Sequence, residues 1–295
     1  MISNVLTSIN PIKVSSIKEL FDIITEENKE GNRWFRGQNN IEYPLIPSVL
    51  RNAVIVSDQF KRPVEPRKIE VFSTHGDNVL IPDRLYLNNF KKFLDKENIK
   101  TDASDIEFIC LAQHYGVKTR LLDWSSDAIV ALFFAIDGRE PGNSAGFYIL
   151  NPLKLNNVSL VKNVMKYDDL YLNEEFVFPV AFYGPHKDKR MCRQSGNFTI
   201  HGQMVWPVDY LYMADEFLKR IEISDELCCE LEHFLLGCGI NRKSIYVEDS
   251  RLDEISKKAQ EETENAYNKK IHQLREEWLK SPEKGISTHL YFKDL

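Results

Sequence analysis

Apolar residues recur at helical spacing early in the chain and give way to strand-like runs near residue 34. Ile17, Leu20, Phe21 and Ile24 fall on one helical face, and Ser16 precedes Glu19 by the spacing of a capping box. A helix is therefore predicted over 16–27, stopped by the polar run that ends at Gly31. Residues 33–38 read as a short aromatic strand entering a turn at Gly37. Residues 43–51 hold Pro44 and Pro47 and read as an ordered loop. Residues 58–82, rich in charge, proline and polar side chains, follow neither period and read as an insertion or mobile loop.

Helical spacing returns with Leu85, Phe90, Phe93 and Leu94, and again over 104–115, where Ile106, Ile109 and either Ala112 or Gln113 share a face before Gly116 stops the helix. Residues 117–122 read as a strand. Ser125, Ser126 and Asp127 are candidate N-caps for a helix over 128–136 that is apolar all round and so centrally buried. Strands are expected over 147–150, 176–182 and 197–201, and a helix opens at Ser224 and closes at Gly237. Residues 251–280 lack Gly and Pro, and Leu252, Ile255, Ala259, Ala266, Ile271, Leu274 and Trp278 form only a broken stripe. A long, mostly solvated helix docking at its ends is the preferred reading; a coiled-coil or partner-binding helix is the competing one. The pattern predicts an α+β fold: one mixed domain with a small, largely antiparallel sheet flanked by helices, plus a long C-terminal helix.

Composition narrows the classes. The 43% hydrophobic and 11% aromatic content over 295 residues supports a sizeable core. With 38 basic against 44 acidic residues, the net charge of -6 argues against binding nucleic acid or anionic membrane through global charge, although a local basic site stays open. No stretch approaches the roughly 18 apolar residues of a spanning helix, and residues 1–10 lack the features of a secretory signal, so no membrane association and a cytoplasmic location are expected. Cys110, Cys192, Cys228, Cys229 and Cys238 form no Cys-x-x-Cys pair and read as reduced thiols. His-Glu-x-x-His and the Gly-rich phosphate loop are missing, so no metal is expected.

Candidate chemistry concentrates in two segments. Arg36 ends an aromatic strand and is followed by Gly37, which lets a backbone approach a ligand, and a guanidinium there can grip a phosphate or carboxylate in two-pronged fashion. Between Gln113 and Trp124, His114, Tyr115, Lys118, Thr119, Arg120 and Asp123 crowd beside the most apolar helix, as in a site wall. Each also has a structural explanation. Arg36 or Arg120 can pair internally with Asp123, His114 can sit at a helix C-terminus, and Trp34 and Trp124 can be core.

Trp34-Phe35-Arg36-Gly37-Gln38, followed by Leu45-Ile46-Pro47-Ser48 with Arg51, then by Ala112-Gln113-His114-Tyr115-Gly116 and Thr119-Arg120-Leu121-Leu122-Asp123-Trp124, resembles the FRG domain, named for its Phe-Arg-Gly signature. Arg190 and Arg193-Gln194-Ser195-Gly196-Asn197-Phe198-Thr199 with His201 resemble the family's later motif. The resemblance implies an FRG-like domain over 1–253 and a charged helical extension over 254–295.

A looser similarity links the chain to ADP-ribosyltransferases, many of which carry an aromatic residue, Arg and Gly on one strand, then a Ser-Thr-Ser type segment before a helix, then a strand bearing Glu. Phe35-Arg36-Gly37 and Trp124-Ser125-Ser126 with Ala128, Ala131, Phe133 and Phe134 resemble the first two parts, while the third place offers Gln194 and no glutamate. This similarity implies a split sheet, NAD as substrate and transfer to a protein or nucleic-acid acceptor, in a toxin or antiviral defence effector. Arg36 and Arg120 would hold the pyrophosphate. Trp34, Tyr115 or Trp124 would stack the nicotinamide, with Gly37, Gln38 and Ser125 lining the same nucleotide site. Asp123, or more distantly Glu248, would face the developing positive charge, and Gln194 would orient ribose or acceptor.

Two other classes compete. A metal-independent ribonuclease or other phosphodiester-acting enzyme would use His114 as general base, Arg36 and Arg120 on phosphate, and Asp123 to orient the histidine. A non-catalytic sensor would bind a nucleotide or a protein partner, docking the partner through the 251–280 helix.

Overall fold

The computed structural model describes residues 9–58, 60, 62–68, 78–101, 103–170, 176–185, 189–202, 205–247 and 249–280. Its strands are β1 (Ile12–Val14), β2 (Trp34–Gln38), β3 (Val54–Ser57), β4 (Pro63–Lys68), β5 (Asn78–Leu80), β6 (Leu121–Ser125), β7 (Ala145–Leu150), β8 (Met165–Lys166), β9 (Val180–Tyr183), β10 (Gly196–Ile200) and β11 (Leu218–Ile223). Its α-helices are α1 (Ile17–Asn28), α2 (Asp83–Lys96), α3 (Asp105–His114), α4 (Ala128–Ile136), α5 (Pro152–Val158), α6 (Lys189–Gln194), α7 (Ala214–Phe217), α8 (Asp225–Gly237), α9 (Arg242–Ile245) and α10 (Ser250–Lys280). The fold is mixed α+β. It divides into two compact units, each made of two chain segments: Met1–Leu45 with Leu122–Val247, and Ile46–Leu121 with Glu248–Leu295. The sequence boundary expected at Asp253 falls inside α10.

The first unit is built on an eight-stranded sheet in the order β1-β11-β7-β2-β6-β10-β9-β8, larger than the small sheet expected. It is largely antiparallel, with parallel pairing of β1 to β11 and of β8 to β9. β11 escapes the sequence pattern because Lys219, Arg220 and Glu222 give its half-buried residues the look of a surface segment. On one sheet face, Phe35, Phe147, Ile149 and Ile221 pack with α4, α1 and α8 through residues such as Leu132, Leu20 and Leu231. On the other, Trp34, Trp124, Tyr148 and Leu150 pack with Leu155, Val208 and Phe217.

Local chemistry sets the element ends. Ser16 Oγ accepts from the Glu19 amide at 3.2 Å, but the Glu19 carboxylate binds Ser15, so only half of the expected capping box forms at α1. Asp127, of the three N-cap candidates, caps α4 by accepting from Ile129 and Val130 at 2.8 and 3.3 Å. The strand expected over 117–122 begins only at Leu121. Val117 N donates to Ala112 O, and Thr119 Oγ1 accepts from Leu121 N, so helix termination and a side-chain turn claim the groups that a ladder would use.

The second unit holds the small sheet β4-β3-β5 together with α2, α3 and α10. Strands β4 and β5 fall inside the span read as an insertion or loop. β4 is Pro-Val-Glu-Pro-Arg-Lys, an edge sequence whose charges hide its strand character. Helix α10 is more than a rod docked at its ends, because Ile255, Ser256, Ala259, Thr263, Tyr267 and Leu274 are buried along it. Small and hydroxyl-bearing residues complete the stripe that looked broken when only apolar positions were counted. Asn89 Nδ2 donates to Thr263 Oγ1 at 2.9 Å, tying α2 to α10.

Candidate functional site

Side chains alternate along β2, so Trp34, Arg36 and Gln38 share one face while Phe35 and Gly37 share the other. Gly37 lies against α4: a Cβ built there would stand 2.0 Å from Ala131 O and 2.3 Å from Ala135 N. Its missing side chain admits a helix backbone. Trp34 and Trp124 are 1% and 2% exposed. Trp34 meets Tyr183 edge-on at 5.6 Å, and Trp124 Nε1 donates to Thr199 Oγ1 at 3.1 Å, so both indoles are core.

β2 pairs with β6 at one position, Phe35 with Ser125. Past that pair the Arg36 side chain takes over, with Nη1 donating to Asp123 O at 2.7 Å and lying 4.0 Å from Asp123 Oδ2. The Arg36 side chain is 16% exposed and the Asp123 side chain 55%, so a mostly buried guanidinium stands beside a solvent-reaching carboxylate. Ser125 Oγ donates to Gln194 O at 2.7 Å and accepts from Asp127 N at 3.0 Å. Ser126 donates to Ser195 O through its amide at 3.0 Å and its hydroxyl at 3.3 Å. This clasp fixes the corner between α6 and β10, where Ser195 adopts φ +47°, a conformation unusual outside glycine. Arg36 thus reaches Asp123 across the β2–β6 junction, while Ser125, which pairs with Phe35 and shares its sheet face, holds the Gln194 backbone carbonyl just before β10.

His114, Tyr115 and Arg120 belong to the second unit. Arg120 Nε pairs with Asp83. The His114 and Tyr115 rings meet edge-on with centroids 5.2 Å apart. Gln113 Oε1 accepts from Thr119 Oγ1 at 2.7 Å, fixing the turn after α3. Arg190 lies in α6, and Glu248 lies outside the described residues.

Sequence reading missed a buried polar row. Register places Arg36, Tyr148 and Arg220 directly opposite one another on β2, β7 and β11, so all three share a sheet face. Arg220 donates to Ile41 O at 2.7 Å and Ile9 O at 3.2 Å. Asp209, 1% exposed, accepts from the Leu45 amide at 3.0 Å. Burial pushes the Asp209 carboxyl above its ordinary range, against the opposing Leu45 amide and Arg220. Burial, then Asp209, raises the Tyr148 phenol. A lone charge inside an apolar run, as in Pro-Val-Asp-Tyr-Leu, was the available signal, but the row itself depends on register.

Among the described residues no group of His, Cys, Asp and Glu is arranged to hold a metal, and no helix is long and apolar enough to cross a membrane. The fold and site define an α+β protein whose central sheet carries an arginine beside a carboxylate at a strand junction. Residues 31–144 match the model of the FRG domain. The later motif around Gln194 lies beyond the matched residues. No curated protein and no solved structure matches the chain.

Proposed function

We propose that this FRG-domain chain binds NAD and transfers its ADP-ribose to a macromolecular acceptor, with the reacting site in the first unit. The supporting observation is that the three segments that resemble ADP-ribosyltransferase motifs lie on neighbouring strands: Arg36 of β2 donates to the Asp123 carbonyl of β6, and Ser125 of β6 donates to the Gln194 carbonyl before β10. In this reading Arg36 binds pyrophosphate oxygen. The bond between ribose C1′ and the nicotinamide nitrogen breaks, and nicotinamide leaves with the electron pair. Asp123 faces the oxocarbenium charge; the acceptor nucleophile then attacks C1′ and gives up its proton to water. Gln194 orients a ribose hydroxyl or the acceptor.

A second reading, a module that holds the nucleotide without cleaving it, is favoured by Gln194 standing where those enzymes carry glutamate. Full-length protein incubated with NAD labelled in its adenylate half and with cell extract distinguishes the two. Transfer predicts nicotinamide release and labelled acceptor, with release about 100-fold slower in Asp123→Asn while NAD still binds. Binding without release in any extract supports the module; neither binding nor release overturns both.

A further inference from the structure

Leu160 combines two features that a folded surface ordinarily avoids. It is 92% exposed, and its φ of +60° lies in the left-handed region that favours glycine. The backbone around it is a complete stop for α5. Leu160 N donates to Asn157 O at 3.1 Å and Val161 N to Asn156 O at 2.8 Å, a pair of bonds in which glycine ordinarily fills the position that Leu160 holds. The turn is also firmly anchored. Asn156, fully buried, accepts from Ala181 N at 2.6 Å and donates to Asn163 O at 2.9 Å, and Ser159 Oγ donates to Pro179 O at 2.6 Å. A fixed turn thus displays an aliphatic side chain at a conformational cost that glycine would remove, and such an outlier points to a use for the side chain.

The surrounding charge indicates the use. The chain carries a net charge of -6, yet residues 151–167 hold Lys154, Lys162 and Lys166 and no acidic residue. All three lysines are exposed, and none of them forms an ion pair among the described residues. Helix α5 has 7 residues and is therefore about 10 Å long. Lys154 at its start and Lys162 just past its end both lie within about one Debye length of Leu160. Leu153, in the first turn, is 42% exposed. A protruding aliphatic side chain offers no groove to a peptide and has to enter a medium that yields to it. A bilayer interface does so, and lysine stems lie along its apolar boundary with their ammonium groups among anionic headgroups. We propose that the 151–167 segment docks this chain reversibly on an anionic lipid surface, with Leu160 inserted and Lys154, Lys162 and Lys166 on the headgroups. This local basic face works against the net charge of the whole chain and is independent of the NAD reading.

Cosedimentation of the full chain with vesicles of phosphatidylcholine alone, or of phosphatidylcholine with phosphatidylserine, tests this. Binding is expected only with phosphatidylserine present and is expected to weaken as salt is raised. Lys162→Gln is expected to bind about 5-fold more weakly, the scale of one surface charge, and Leu160→Gly about 10-fold more weakly, the scale of one buried aliphatic side chain. Melting curves separate that loss from misfolding. Glycine suits the left-handed position, so Leu160→Gly is expected to melt at the parent temperature or above it. If the glycine variant does not fold, Leu160→Asn, which also tolerates that conformation, carries the same test. A parent that binds neither vesicle, which would leave the patch to an acidic protein partner, overturns the proposal. Equal binding to both vesicle types, or a folded Leu160→Gly that binds as the parent does, overturns it as well.

Discussion

At Gly37 a hydrogen atom stands where any other residue would drive a methyl group into the backbone of α4. Gly37→Ala is expected to lower stability by about 1–3 kcal/mol or more, read from a shifted denaturation midpoint at unchanged slope, because neither strand nor helix backbone can yield cheaply. An unchanged midpoint would return Gly37 to a purely ligand-facing role. Asp209 carries the pH prediction. Its folded pKa is raised, so the folded state holds the proton more tightly than the unfolded chain, and the associated stability is present at acid pH and lost as pH rises through the folded pKa. Asp209→Asn keeps an oxygen for the Leu45 amide without the charge. The variant is expected to melt above the parent at neutral pH, with the gap closing as pH falls into the ordinary carboxylate range; a gap that widens in acid would contradict this. At this scale Arg36 and Asp123 were legible because unusual residue types cluster around them. Tyr148 was not, since a tyrosine inside Ala-Gly-Phe-Tyr-Ile-Leu looks like core until register sets it between two arginines.

Helices with clean periodicity were readable almost to the residue, as α4 shows: an apolar run with a capping Asp127 leaves little freedom in where it starts. The strands that went unread, β4 and β11, carry charges at positions whose burial depends on distant partners. Helix α10 illustrates the same limit, because its buried stripe runs through Ser256, Thr263 and Tyr267. Tyr267 hydroxyl lies 2.8 Å from Leu80 O and 3.1 Å from Asn52 O, tying the helix to the end of β5 and to the turn before β3. Tyr267→Phe is therefore expected to cost about 1–2 kcal/mol, since it leaves a buried carbonyl acceptor unmet. Chemical denaturation would show the loss, and a variant as stable as the parent would mean that the α10 contact is carried by packing alone.

Across the whole molecule, the α+β class and the two motif segments followed from sequence, while the assembly of each compact unit from two distant chain segments did not. Contacts between residues 9–45 and 122–247 are non-local, and no periodicity encodes them. The central proposal is that this chain cleaves NAD and passes on its ADP-ribose. Its most direct test is the rate of nicotinamide release from NAD by the purified full chain in the presence of cell extract. The account predicts measurable release by the parent and about 100-fold slower release by Asp123→Asn that still binds NAD. Equal rates in the two proteins, or no release by the parent in any extract, would contradict it.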